Sequence, residues 1–147
     1  MKVSTRGRYG LRVLLDVALH QEQGPVALRD VSHRQAISHK YLWQVVNPLQ
    51  AAGILRAIRG SRGGYVLARA PEEVSIRDIV SILEGPVTVV ACVTDPKACD
   101  HSVSCTAHDA WAEIEKKLND AMSSITLKEL IRRHREQQNR DVASYMI

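Results

Sequence analysis

The sequence predicts a mainly α-helical fold with one small β-hairpin. Two observations carry that prediction: apolar side chains recur at helical spacing in several separate stretches, and two short runs containing β-branched residues lie on either side of the glycine-rich Gly60-Ser61-Arg62-Gly63. A third, a long later helix with an apolar seam, sets a second unit apart from the first.

Residues 5–22 read as the first helix, with Leu11, Leu14, Leu15, Ala18 and Leu19 on one stripe and Val13 and Val17 widening it. Gln23-Gly24-Pro25 ends it, and residues 28–35 form a short second helix with Leu28 and Val31 inward. Ser38 can cap a third helix running to Ala52, in which Leu42, Val45, Val46 and Leu49 form the buried stripe and Gly53 closes the C-terminus. Lys40, Trp43, Gln44 and Asn47 are left on its outward side. Pro48 lacks an N–H for the helix, so a kink or an earlier end is expected there.

Residues 54–59 and 64–67 then pair as a hairpin with Arg59 and Arg62 at its turn. Three helices followed by a basic hairpin is the order of a winged helix-turn-helix, with the third helix as the recognition helix.

Ser75-Ile76-Arg77-Asp78 opens a further helix by a capping box, and Gly85-Pro86 stops it. A polar segment with all three cysteines follows, read as an irregular loop. A long helix from about residue 106 to 124 carries Trp111, Ile114, Leu118, Ala121 and Ile125 in alternating steps of three and four, a seam suited to pairing two protomers. Thr126-Leu127-Lys128-Glu129 opens a short helix through Arg135, beyond which the polar run is expected to fray. The expected organisation is therefore residues 1–85 as a winged-helix domain, 86–105 as a cysteine-containing loop, 106–135 as dimerisation and short C-terminal helices, and 136–147 as a flexible tail.

Charge is unevenly divided along the chain. Residues 1–80 hold twelve Lys and Arg against six Asp and Glu, whereas residues 81–147 hold eight against ten. The basic first half suits an anionic partner. No apolar run reaches the roughly 18 residues of a membrane span, and the start of the chain lacks a signal-peptide apolar stretch, so a cytoplasmic location is expected. In that reducing setting three cysteines do not suggest a disulfide framework. Gly-rich phosphate loops, nucleophile elbows and paired catalytic carboxylates are missing, which argues against an enzyme or electron carrier.

Double-stranded DNA fits the basic half best. Lys and Arg release condensed counterions from phosphates, for which Arg6, Arg8, Arg12, Arg59 and Arg62 are candidates. Arg59, beside the permissive Gly60, suits a narrow minor groove. Base edges need donors and acceptors near the start of the recognition helix, where Ser38, His39, Lys40, Tyr41, Trp43 and Gln44 lie. A protein-interaction module is the rival, and would show little salt-dependent affinity for duplex DNA.

Cys92, Cys99, Cys105 and His108 form the pattern C-x6-C-x5-C-x2-H. Thiolates with an imidazole suit zinc or an iron–sulfur cluster, whereas Mg or Ca would want oxygen ligands. The C-x2-C hooks of common zinc modules are lacking, and a thiol-redox switch is a further reading. His108 lies one helical turn after Cys105, and His101 is the competing imidazole.

With these residues in place, the chain resembles the IscR/NsrR/RirA family of winged-helix iron–sulfur transcription regulators, the IscR branch above all. The matching stretches are Gly7-Arg8-Tyr9, Leu15-Asp16-Val17-Ala18-Leu19, Gly24-Pro25-Val26, Ile37-Ser38 with Tyr41-Leu42 and Gln44, Arg59-Gly60 with Gly63-Gly64-Tyr65, the cysteine trio, and Ile125-Thr126-Leu127 with Glu129-Leu130. The resemblance implies a homodimer on a two-fold related operator and a cluster whose state controls DNA affinity. For an IscR-like chain it implies [2Fe-2S] on Cys92, Cys99, Cys105 and His108, while NsrR-like members carry [4Fe-4S]. Two departures from the IscR pattern stand out: one extra residue between Cys92 and Cys99, and Trp43 in place of an acidic base-reading residue.

Overall fold

The computed structural model describes residues 2–146. Helix α1 (Thr5–His20) begins where Ser4 accepts hydrogen bonds from the Arg6 and Gly7 amides. Its first turn holds no acidic residue of its own, and the Glu84 carboxylate supplies the anion instead, accepting from the Ser4 amide at 2.8 Å and the Gly7 amide at 3.1 Å. Val13, Leu14 and Val17 are fully buried, while Leu11 and Leu15 are only partly covered. The two valines are therefore the centre of the stripe rather than its margin.

Helix α2 (Leu28–Gln35) ends in a left-handed residue, Ala36, which turns the chain into α3 (His39–Ala51). Ser38 caps α3 by accepting from the Tyr41 amide at 3.2 Å. Leu42, Val45, Val46 and Leu49 are wholly buried, as their spacing predicts. The expected early end at Pro48 is corrected, because the helix runs on to Ala51 with the proline inside it. The carbonyl that Pro48 leaves without a partner belongs to Gln44, an exposed residue, so water can take the place of the lost N–H.

Strands β1 (Leu55–Ile58) and β2 (Gly64–Leu67) pair antiparallel in the register Leu55↔Leu67 to Ile58↔Gly64. A third segment joins them, for Val26 and Tyr65 exchange both backbone hydrogen bonds, at 2.9 and 2.8 Å. Gly64 makes that approach feasible: a Cβ there would lie 2.5 Å from the Val26 carbonyl carbon and oxygen.

Helix α4 (Ile76–Glu84) starts in the predicted box of Ser75 and Asp78 and packs against α1 and α3. The cysteine segment is more ordered than the loop expected for it: Ala91–Thr94 forms a one-turn helix, α5, and Pro96–Ala98 a 3-10 turn. Helix α6 (Thr106–Ser124) buries none of its residues fully. Helix α7 (Leu127–Tyr145) is tied back to the first unit, since the Leu127 amide donates to the Val74 carbonyl at 2.8 Å and the Ile76 amide to the Ile125 carbonyl at 2.9 Å. Its length corrects the expected fraying after Arg135. The sequence 128–140 offers i,i+3 and i,i+4 partners, and Arg132 bridges both Glu129 and Glu136.

Candidate nucleic-acid interface and cysteine segment

The buried stripe of α3 fixes what its other side presents. With Leu42, Val45, Val46 and Leu49 inward, Ser38, His39, Lys40, Trp43, Gln44 and Asn47 all stand exposed on one surface. Tyr41 differs from its neighbours. Its ring is partly buried against the core and meets Tyr9 edge-on, with centroids 5.4 Å apart at 84°.

At the hairpin, Arg59, Gly60, Ser61 and Arg62 are exposed beyond the last paired residues. The Gly63 amide closes the turn on the Gly60 carbonyl at 3.1 Å, and Gly60 has φ of 122°, a left-handed conformation that a side chain would strain. Among the described residues no carboxylate bridges Lys40, Arg59 or Arg62. Unneutralised cations on a helix face and on a loop tip suit a polyanionic partner. Arg12 is not equivalent to these. Its guanidinium donates to the Gln35 side chain at 3.1 Å and the Gln35 carbonyl at 2.5 Å while lying over the Tyr9 ring, so it closes the end of α2. Arg8 reaches back to the Thr5 hydroxyl at 3.0 Å, and Arg6 remains exposed.

Asp16 holds this surface together from below. Its side chain is 1% exposed and receives a bidentate pair from Arg34, at 2.7 and 3.0 Å, and a third bond from Gln35 at 2.9 Å. Burial alone would raise the carboxyl's pKa, but the bonds from Arg34 and Gln35 and the charge of Arg34 outweigh it and hold it below the ordinary carboxylate value. The pair locks α1 to α2 and so sets where α3 begins.

The cysteine segment lies on α6. The His108 ring nitrogen Nε2 is 3.2 Å from the Cys92 carbonyl oxygen, the Val89 amide donates to Glu115 at 2.9 Å, and the Asn119 amide donates to the Val87 carbonyl at 3.2 Å. Asn119 also accepts from Arg77 of α4 at 2.8 Å, which connects the segment to the winged-helix unit. Spacing gives no hint of Glu115, Asn119 or Glu84, because their partners lie 26 to 80 residues away. All three thiols are unpaired and partly buried. Soft thiol donors with an imidazole alongside have the chemistry an iron–sulfur cluster or zinc requires. In the single chain, however, no three His, Cys, Asp or Glu side chains of the described residues come together around one ion position. Cys92, Cys99, Cys105 and His108 are the residues that would hold such a group. His101, the competing imidazole, is exposed.

A three-helix unit with a basic β-wing, followed by a long helix with an unburied apolar side, defines a winged-helix transcription regulator. The chain belongs to the Rrf2 family, described as an iron-dependent transcriptional regulator, which it matches over residues 3–133. It is 36% identical over 132 residues to protein rrf2 of Nitratidesulfovibrio vulgaris, covering 90% of this chain and 88% of that one. Among solved structures it is similar to CymR, the global cysteine regulator of Bacillus subtilis, with a TM-score of 0.76 and 34% identity over 89% of this chain and 96% of that chain. IscR of T. potens has the same TM-score, 0.76, at 33% identity over 94% of this chain and 91% of that chain. The resemblance read from the residues therefore stands, and the family is one of regulators rather than enzymes. Among the described residues no helix is long and apolar enough to cross a membrane.

Proposed function

We propose that the chain acts as a homodimer that grips duplex DNA with two copies of one surface and that an iron–sulfur cluster controls its grip. Ser38, His39, Lys40, Trp43 and Gln44 on α3 enter the major groove, Tyr41 offers it only the part of its side chain that Tyr9 and the core leave uncovered, and Arg59, Gly60 and Arg62 follow the backbone or minor groove beside it. Cys92, Cys99, Cys105 and His108 hold the cluster, with [2Fe-2S] favoured over [4Fe-4S] from the likeness to IscR. A bound cluster supplies a ligand that depends on iron and redox state and favours one arrangement of its segment over another. The cell interior, where the DNA is, is the proposed compartment.

One observation carries this reading: the cysteine segment is hydrogen-bonded to α6 through Glu115 and Asn119, and Asn119 in turn to Arg77 of the winged-helix unit. Closing the segment around a cluster changes what Val87 and Val89 offer to α6, and with it the support under α4. A two-fold dimer reads half-sites about one helical turn apart, so small changes in the separation of two α3 helices alter affinity.

A second reading keeps DNA binding and makes the three thiols, which form no disulfide in the single chain, a zinc or thiol-redox sensor. Absorption and Mössbauer spectra of anaerobically purified protein separate the two. The cluster reading expects visible absorbance and an iron quadrupole doublet, both lost when Cys92, Cys99 or Cys105 becomes Ala, together with altered DNA binding. Colourless protein with stoichiometric zinc, or with no metal under iron-replete anaerobic conditions, would overturn it.

A further inference from the structure

Trp43 is 45% exposed midway along the outward face of α3. Lys40, Gln44 and Asn47 around it are exposed and polar, and the residues that follow it inward, Val45 and Val46, fill the core without it. The indole takes no part in the Tyr9–Tyr41 pair or the Arg12 contact beneath. An indole is among the largest apolar groups a protein carries, so a partner that covers the exposed part of this one gains apolar burial there. An anionic rim suits that partner, because Lys40 lies one helical turn from the indole and, like Arg59 and Arg62 at the wing, is exposed and bridged by no carboxylate among the described residues.

A duplex meets both demands, with phosphates at the groove edges and one apolar group on its floor, the C5 methyl of thymine. Trp also restricts what can lie opposite by its polar handle. Its Nε1–H is a donor and the ring offers no acceptor, so it cannot receive the N4 hydrogen of cytosine. Resting on the assignment of α3 as the DNA-facing helix, we infer that Trp43 reads a thymine methyl in each half-site and fixes an A·T pair at that position of the operator.

The test begins with selection of binding sites from a randomised duplex library by the full-length dimer. It continues with titration of the enriched duplex after thymine is replaced by deoxyuridine, which removes only the methyl. Wild type enriches thymine at one symmetric position and binds the deoxyuridine duplex about fourfold more weakly per half-site, or about fifteenfold with both replaced. Trp43→Ala, which melts at the wild-type temperature because the site is a surface one, binds both duplexes equally. Trp43→Glu moves the preferred base to cytosine, since a carboxylate accepts from N4. Three results would overturn the inference: no effect of deoxyuridine on wild type, an unchanged selection profile for Trp43→Ala, or an equal loss on every duplex. The second indicates an indole covered by protein and the third an indole wedged between base steps. Failure of wild type to bind any duplex, even at low salt, would overturn the assignment of α3 instead.

Discussion

Asp16 shows how one side chain can set the position of a binding surface that it never touches. It is buried, hydrogen-bonded by both Arg34 and Gln35 and anionic, and it joins α1 to α2. Replacing it with Asn leaves Arg34 without its counter-charge, and urea unfolding is expected to show a loss of about 2–3 kcal/mol. Its acid dependence follows from the direction of the shift. A carboxyl whose folded pKa lies below the unfolded value of 3.8 contributes stability that is fully present above 3.8 and is lost as pH falls through the folded pKa. The wild type should therefore lose stability below about pH 4 more steeply than Asp16→Asn, as urea midpoints at stepped pH would show. At the wing, Arg59→Ala should weaken binding to all duplexes and reduce the slope of log affinity against log salt by about 1. An unchanged slope would remove Arg59 from the phosphate contacts.

Among the elements, those set by local rules were the legible ones. Period and capping placed α2, α3, α4 and α6 within a residue or two, because the stripe Leu42, Val45, Val46, Leu49, the box at Ser75 and the apolar spacing along α6 need only near neighbours. Long-range partners were not legible. Nothing near Gln44 shows that its carbonyl is exposed enough to tolerate Pro48, and nothing near Tyr41 shows that Tyr9 will take its ring. The turn of helix at Ala91–Thr94 is too short to leave a period, and the reach of α7 to Tyr145 depends on paired charges that the polar composition hides. The candidate site divides in the same way: the wing and α3 face follow from pattern, whereas the ties from Glu115 and Asn119 arise only from folding. The wing itself depends on Gly64. Gly64→Val would drive Cβ into the Val26 backbone, and we expect a loss of about 2–4 kcal/mol in denaturant melts with weakened DNA binding.

At the scale of the whole molecule, α6 is the element that the single chain leaves unfinished. Trp111 and Ile114 are 42% and 47% exposed on a helix with no fully buried residue, a face suited to a second copy. Trp111→Asp with Ile114→Asp should give monomers by sedimentation while leaving the winged-helix core folded, and operator affinity should fall steeply because two half-sites no longer bind together. The cysteine segment lies against that same helix, so cluster state, dimer geometry and DNA grip are proposed to meet on α6. The most direct test is an anaerobic titration of one selected duplex with cluster-loaded and cluster-free dimers at matched salt. The account predicts affinities that differ by at least about fivefold, with the Cys92→Ala, Cys99→Ala and Cys105→Ala proteins all behaving as the cluster-free form. Equal affinity for loaded, cluster-free and substituted proteins would contradict it.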